Sequence, residues 1–169
     1  NDLWQVLKTQ HVKPGKGGAF AQVEMKSVGK NTKLNERFRS SETVEKASLE
    51  ETDFNYLYDD ENNYIFMDPK TFEQIEIKKD LIGEKGKLMT ENLKVSVSFH
   101  NENPISVELP NQVTCKIETT DVALKGQTVS SSYKPATLNN GLNIQVPPFI
   151  NSGDEVIVDT RTLEYIKKI

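Results

Sequence analysis

The stretch His11-Val12-Lys13-Pro14-Gly15-Lys16-Gly17-Gly18-Ala19-Phe20 separates two segments in which apolar and polar residues alternate. The segments are Leu3-Trp4-Gln5-Val6-Leu7 before it and Phe20-Ala21-Gln22-Val23-Glu24-Met25 after it, and alternation of this kind predicts β-strands. Pro14 fixes φ at about −65°, and Gly15 can adopt the positive φ that a tight turn needs. The sequence therefore predicts a β-hairpin with a glycine-rich tip.

Lys16 is the only residue of Gly15-Lys16-Gly17-Gly18 whose side chain can reach outward. The two glycines after it would let a partner approach the backbone closely. A P-loop is excluded, because that motif places Ser or Thr after the lysine and opens a helix. Two interpretations of the tip stay open here. It is either a probe for a narrow anionic or RNA-lined space, or an ordinary turn with a solvated lysine.

Composition suits a globular protein, with 169 residues, 36% hydrophobic and 27% charged. No apolar run reaches the roughly 18 residues of a membrane span, and no signal-peptide pattern opens the chain. We therefore expect a cytoplasmic protein with no membrane association. Cys115 is the single cysteine, and its alternating surroundings predict a half-buried structural thiol. The chain begins without Met, directly in a predicted strand, so we expect the first domain to lack its first strand.

Short strands between turns recur along the chain and predict three all-β units, at residues 1–45, 46–109 and 110–169. Hairpins are predicted over residues 54–67 and around Asn140-Gly141, which is a strong turn signal. One helix is predicted over residues 79–92, although glycines inside it lower its helix propensity. Strands and helices do not alternate, which argues against a parallel α/β fold.

Charge is distributed unevenly. Residues 1–45 carry a net charge of +3, residues 46–110 carry −7, and residues 111–169 are neutral. The basic part therefore contains Lys16. This distribution favours an elongated protein that contacts a polyanion at its ends and turns its acidic middle away.

No catalytic or metal-binding constellation is found in the sequence. The two histidines, His11 and His100, have no neighbours at metal-ligand spacing, and we expect both to be solvated turn residues. The acidic turn at residues 59–61 lacks the spacing of a calcium loop. No nucleophile motif is present, so we do not expect an enzyme.

Four aromatic residues lie at strand spacing in the middle unit. We expect them to pack in its core, and base stacking is the alternative that this spacing also allows. They are Tyr56, Tyr58, Tyr64 and Phe66.

The C-terminal unit contains a long motif that runs from Lys134 to Gly153. It resembles the signature of the bacterial elongation factor P family, whose positions are filled by Lys134, Ala136, Gly141, Ile144, Val146, Pro147, Ile150 and Gly153. The stretch from Pro14 to Phe20 also resembles the functional loop of this family. The resemblance extends over essentially the whole chain.

This resemblance implies an all-β fold of three small β-barrels in an elongated L shape. An SH3-like (KOW-type) domain at residues 1–45 would be followed by OB-type barrels at residues 46–109 and 110–169. It also implies a monomer that binds the 70S ribosome beside the peptidyl-tRNA, contacts ribosomal RNA and promotes peptide-bond formation at consecutive prolines.

For the loop, the resemblance implies that Lys16 reaches toward the acceptor end of the peptidyl-tRNA. Pro14, Gly15, Gly17 and Gly18 would shape the loop. The family often carries a covalent β-lysyl-type group on this lysine, so a lysine-modifying enzyme is an expected partner. No other cofactor is expected.

Further ribosome or tRNA contacts implied by the resemblance are Lys13, Gly126, Gln127, Arg161, Tyr165 and Lys168. Two of them depart from the family. Gln127 follows Gly126 at a position where the family commonly has aspartate. Lys168 stands where the family often has arginine, and a lysine keeps the positive charge but lacks the planar guanidinium of arginine. The alternative function is a general RNA-binding β-barrel protein, a chaperone or regulator, although an acidic chain should bind free RNA poorly.

Overall fold

The computed structural model describes residues 2–28, 30, 32–122 and 132–169. Within these ranges the chain forms thirteen β-strands, one four-residue α-helix and one short 3-10 helix. The predicted all-β class is confirmed. The strands form three antiparallel sheets, and buried side chains line at least one face of each.

The first sheet has three strands in the order β1 (Trp4–Val12), β2 (Phe20–Ser27) and β3 (Lys33–Arg39). β1 and β2 confirm the two strands predicted on either side of the glycine-rich tip. β1 is longer than expected, because His11 and Val12 pair with Ala21 and Phe20. The prediction that His11 is a turn residue is therefore wrong. The backbone of His11 belongs to the β1–β2 ladder, because each further residue pair lets more backbone N–H and C=O groups form hydrogen bonds.

The second sheet has the order β6-β5-β4-β7-β8. Its strands are β4 (Glu50–Asp59), β5 (Asn63–Met67), β6 (Gln74–Lys78), β7 (Lys94–His100) and β8 (Asn103–Glu108). The β4–β5 hairpin confirms the prediction for residues 54–67. The prediction that His100 is a turn residue is wrong, because His100 is the last residue of β7.

The expectation of a core position is confirmed for Tyr56, Tyr64 and Phe66, which are all buried. It is wrong for Tyr58, whose side chain is 56% exposed. The register of β4 against β5 shifts between Tyr56 and Tyr58, and the extra residue turns Tyr58 to the other face of the strand.

The predicted helix over residues 79–92 is wrong in length. A single helical turn, α1 (Lys79–Ile82), is followed by a 3-10 segment at Gly83–Leu88. Gly83 ends the helix because its backbone adopts φ +70° and ψ −148°. The 3-10 segment is held by packing, since a Cβ on Gly86 would overlap the hydroxyl of Tyr64 and Leu88 is only 1% exposed.

The third sheet has the order β11-β10-β9-β12-β13. Its strands are β9 (Gln112–Thr120), β10 (Lys134–Leu138), β11 (Asn143–Val146), β12 (Glu155–Asp159) and β13 (Glu164–Lys168). The hairpin predicted at Asn140-Gly141 is confirmed, with Gly141 at φ +85°. Cys115 lies in this core as a structural thiol and is buried more fully than the predicted half-buried position, and burial raises the pKa of its thiol.

The chain divides into two compact units. One comprises Asn1–Glu50 with Ser98–Ile105, and the other comprises Glu51–Val97 with Ser106–Ile169. The three-part division at residues 45 and 109 stays a prediction. In the described part of the chain, no helix is long and apolar enough to cross a membrane.

Candidate functional site

The hairpin formed by β1 and β2 carries Lys16 at its tip. Val12 pairs with Phe20, so the tip consists of residues 13–19. At roughly 3.3 Å per residue, a nine-residue strand such as β1 extends for about 30 Å. Lys16 is exposed, and none of the described residues forms a hydrogen bond or ion pair with it. Lys16 is thus presented to solvent at the tip of the hairpin, beyond a three-stranded sheet in which Phe20 pairs with both Val12 and Arg39.

The glycines of the tip differ in what the fold requires of them. Gly17 adopts φ +145°, and a Cβ there would lie 3.6 Å from Cγ of Pro14. A Cβ on Gly15 or Gly18 would meet no atom within 4 Å. The expected positive φ therefore falls at Gly17 and not at Gly15, because the turn places its strained residue after the lysine. Internal packing does not demand glycine at positions 15 and 18.

The base of the tip is fastened by residues that sequence reasoning missed. The Ser40 hydroxyl donates to the Ala19 carbonyl at 2.8 Å, and the Ser40 backbone N–H donates to the same oxygen at 3.3 Å. The Arg37 guanidinium lies 3.9 Å from the centroid of the Phe20 ring. Ser40 lies 21 residues after Ala19 in the sequence, so the local sequence does not reveal this contact. Only the pairing of β2 with β3 brings Ser40 beside Ala19.

One face of the three-stranded sheet is strongly cationic. Val23, Met25 and Ser27 are buried on the opposite face of β2, so Gln22, Glu24 and their cross-strand partners form the outer face. By this register, the cationic residues of the outer face are Lys8, Lys26, Lys33, Arg37 and Arg39. Glu24 is the only carboxylate of the three strands on this face, and its nearest contact to Lys33 is 3.9 Å.

Arg161 lies in the turn between β12 and β13, where Asp159 holds its guanidinium. The Arg161 Nη2 and Nε atoms donate to the two Asp159 carboxylate oxygens at 2.8 and 3.2 Å. Its backbone N–H also donates to Oδ1 at 2.8 Å. The Arg161 guanidinium and these hydrogen bonds hold the pKa of Asp159 well below its usual range. Arg161 is nevertheless 65% exposed, so its charge is oriented and still accessible.

Lys168 and Tyr165 lie on β13. The Lys168 ammonium donates to Asp154 at 2.8 Å and lowers the pKa of that carboxyl. Tyr165 is half-buried and packs against the hydrophobic core of the third sheet. Val156 pairs with Lys168 and Asp159 pairs with Glu164, so Lys168 and Arg161 lie toward opposite ends of this hairpin.

The structure thus brings Lys13, Pro14 and the tip glycines together around Lys16. It places Arg161, Tyr165 and Lys168 in the other unit. Gly126 and Gln127 lie outside the described residues. Among the residues that are described, no three His, Cys, Asp or Glu side chains are grouped so that they could hold a metal ion.

Three family models match the chain in succession. The elongation factor P KOW-like domain matches residues 1–44, the elongation factor P OB domain matches residues 49–107, and the elongation factor P C-terminal model matches residues 113–168. Elongation factor P of Pelagibacter ubique is 82% identical over 169 residues, which cover 100% of this chain and 91% of the relative. The chain belongs to the elongation factor P family.

The chain is also similar to elongation factor P from other bacteria and to a related solved structure. Elongation factor P of Brucella ovis is 52% identical over 166 residues, covering 98% of this chain and 89% of the relative. Among solved structures, eukaryotic translation initiation factor 5A from Methanococcus jannaschii is similar at a TM-score of 0.47 and 20% identity. That similarity covers 62% of this chain and 80% of the solved chain.

Membership in the elongation factor P family confirms the resemblance found in the sequence. The family models also confirm the predicted fold class, with a KOW-like domain and OB-type domains. The chain is accordingly a translation elongation factor.

Proposed function

We propose that this elongation factor binds the ribosome beside the peptidyl-tRNA and promotes peptide-bond formation at consecutive prolines. In this proposal the Lys16 hairpin reaches the acceptor end of the tRNA and holds it in a reactive pose. The factor then works in the cytoplasm on the 70S ribosome, and its contacts are with peptidyl-tRNA and ribosomal RNA. It contributes no acid, base or nucleophile of its own.

The observation that carries the proposal is the form of the hairpin tip. An exposed lysine is presented at the tip of the hairpin, and a Cβ on either Gly15 or Gly18 would point into open space. Since the fold does not need glycine at these two positions, their lack of side chains is best explained by the close approach of a partner. A hairpin tip that carries Lys13 and Lys16 among glycines suits a space lined by phosphates and sugar hydroxyls.

Positioning of the peptidyl-tRNA can by itself accelerate peptide-bond formation enough to relieve a stall. A tenfold increase in rate corresponds to about 1.4 kcal/mol of activation free energy. Holding two reacting groups in a favourable orientation can supply several times that amount. A contact from one lysine to the tRNA acceptor end is therefore sufficient in principle, provided that the base of the arm is rigid. The hydrogen bonds from Ser40 and the stacking of Arg37 on Phe20 support that rigidity.

The cationic outer face of the three-stranded sheet supports an RNA partner. Five lysine and arginine residues with one carboxylate would attract a phosphate backbone next to the arm. In the other unit, Arg161 offers a fork already oriented by Asp159. Lys13 within the tip and Lys168 on β13 are further proposed contacts, as is the half-buried Tyr165.

We also propose that Lys16 carries a covalent extension of the β-lysyl type, added by a separate enzyme. Its side chain is exposed at the tip, as an enzyme that modifies it would require. Intact mass measurement of the factor from its native cells, followed by peptide mapping, tests this. We expect added mass on the peptide that contains Lys16, and an unmodified peptide would contradict the proposal.

Translation of a triple-proline reporter in a reconstituted system tests the proposed function. The reporter is translated with the factor, with Lys16→Ala, and with no factor, using samples that carry the native form of Lys16. We expect the factor to relieve the stall and Lys16→Ala to behave almost like the reaction without factor. Lys85→Ala, which removes an exposed lysine from the other unit, serves as the matched control and should relieve the stall fully.

Equal relief by the factor and by Lys16→Ala would assign Lys16 to an ordinary turn. If the factor with its native form of Lys16 does not relieve the stall, the alternative of a general RNA-binding protein is favoured. Tight binding of free RNA in the absence of ribosomes would support that alternative further.

A further inference from the structure

The sequence of this chain contains two adjacent prolines, Pro147 and Pro148. Every other proline of the 169 residues stands singly. The pair lies inside the long motif that runs from Lys134 to Gly153, and the site described above makes no use of it. A protein whose proposed activity is to speed bond formation between consecutive prolines therefore needs one such bond in its own synthesis.

The two prolines form part of a turn that the core holds at both ends. Val146 is the last residue of β11, an edge strand of the third sheet. The Ile150 backbone N–H donates to the Pro147 carbonyl at 3.2 Å, so Pro148 occupies the second position of a β-turn. Val146 and Ile150 are fully buried. The turn is therefore anchored by its neighbours and not by the second proline.

The fold does not require a proline at position 148. Its side chain is exposed, as is the ring of Phe149 beside it. Proline is favoured at the second position of a β-turn, but many other residues also fit there. Pro148→Ala therefore separates the two prolines without removing a buried side chain.

The bond between these prolines is intrinsically slow to form. The ring of Pro147 fixes its own φ and holds the preceding Val146 in extended conformations. Val146 is also β-branched, so its side chain is stiff. The incoming Pro148 offers a ring nitrogen in place of a primary amine. The reacting groups thus have few conformations in which to meet, and orientation must be supplied from outside.

We propose that the growing chain of this factor is itself a substrate of the factor, at the bond between Pro147 and Pro148. This inference rests on the proposed function. The nitrogen of prolyl-tRNA attacks the ester carbon that joins Pro147 to its tRNA, and the amide C–N bond forms as the ester C–O bond breaks. The proton lost by the nitrogen ends on the freed ribose hydroxyl. Synthesis of the factor then depends on the factor already present, which is positive feedback on its amount.

A chain halted after Pro147 is not a shorter working factor. It lacks β12, which pairs with β9 in the third sheet, and it lacks β13. Val156 and Val158 of β12 are fully buried, so the core of this sheet is incomplete without them. The halted chain also lacks Arg161. A pause at the proline pair therefore withholds active factor until the pause is relieved.

Synchronised translation of a message that encodes the whole chain, in a reconstituted system, tests the proposal. Toeprinting locates the ribosomes with and without added factor that carries the native form of Lys16. Without factor, we expect ribosomes to accumulate with the Pro147 codon in the peptidyl site and the Pro148 codon in the aminoacyl site. Added factor should shorten this pause at least about threefold, and added Lys16→Ala should not.

Two altered messages show whether the proline pair causes the pause. A message that encodes Pro148→Ala should pass this point without pausing. Pro135→Ala is the matched control, because it removes an exposed single proline from β10 of the same sheet and should leave the pause unchanged. An equal pause on the Pro148→Ala message would overturn the proposal.

The triple-proline reporter, translated in the same reactions, separates this proposal from the proposed function. If the factor relieves the reporter but ribosomes cross the Pro147 and Pro148 codons equally fast without it, the feedback is overturned and the proposed function stands. If the reporter is not relieved, the proposed function fails and the feedback fails with it.

Discussion

At the scale of single residues, the hairpin tip separates what the fold needs from what the function needs. Gly17 is required by its backbone angle of φ +145°, whereas Gly18 has open space where a Cβ would point. The same substitution at these neighbouring positions therefore probes two different properties.

Gly17→Ala should lower the stability of the chain by about 1 kcal/mol, because alanine is strained at that φ. Gly18→Ala should leave Tm unchanged or slightly higher, yet reduce relief of the proline stall, because its methyl group meets the partner. Thermal unfolding and the triple-proline reporter together check both expectations. A Gly18→Ala variant with full activity would show that close approach at position 18 is unnecessary.

Tyr56 predicts a pH dependence of stability. Burial, together with the hydrogen bond that its hydroxyl donates to Asp59 at 2.9 Å, raises the Tyr56 pKa above its ordinary value. In the unfolded chain the phenol ionises at about pH 10. The stabilising effect of the neutral phenol is therefore complete below that pH and is lost as the pH rises toward the higher folded pKa.

We expect Tm to fall above about pH 10 in the parent chain, and to fall less in Tyr56→Phe. At neutral pH, Tyr56→Phe should cost about 1 kcal/mol for the lost hydrogen bond. Thermal unfolding between pH 7 and the alkaline limit measures both effects. Identical alkaline profiles for the two chains would contradict the account of Tyr56.

At the scale of elements, the conformation of the 3-10 segment Gly83–Leu88 is explained by its packing against other parts of the chain. Gly86 lies against Tyr64 of β5, and Leu88 belongs to the core cluster formed with the third sheet. The segment thus contacts side chains of two different sheets within one compact unit. Its irregular backbone is maintained by these two contacts.

Leu88→Ala should destabilise the chain by about 2–5 kcal/mol, through lost burial and the cavity left behind. Gly86→Ala should cost about 1–3 kcal/mol, because the Tyr64 ring must move. Urea unfolding measures both, with Gly18→Ala as the control for a glycine substitution without contacts. A Gly86→Ala variant as stable as the parent would show that Tyr64 adapts freely.

The cationic face of the three-stranded sheet makes a second prediction at this scale. Replacing Lys8 and Lys26 together by glutamine should weaken binding to ribosomes and reduce its salt dependence, because fewer counterions are released. Substituting Lys46 and Lys85, which lie outside this face, should change binding little. Titrations at several salt concentrations would contradict the expectation if both pairs gave the same slope.

At the scale of the whole molecule, local patterns predicted the class of fold but not the long-range register. Alternation along β4 and β5 and the Asn140-Gly141 turn indicated hairpins correctly, because strand period and turn chemistry are local properties. The contact of Ser40 with Ala19 and the outward direction of Tyr58 depend on pairing between strands. No single segment encodes that pairing.

For the candidate site too, the sequence predicted individual residues but not the contacts that orient them. Lys16 and its glycines were evident from the sequence, and the resemblance pointed to Arg161. The residues that orient them, such as Ser40 and Asp159, emerge only from the geometry.

The central claim is that Lys16 accelerates one chemical step by positioning the tRNA. Its most direct test is the single-turnover rate of bond formation between a peptidyl-tRNA ending in two prolines and a prolyl-tRNA, measured on purified ribosomes with saturating factor. We predict that the factor raises this rate at least about tenfold, the equivalent of 1.4 kcal/mol, and that Lys16→Ala abolishes the increase while still binding ribosomes. An equal increase with Lys16→Ala would contradict the claim.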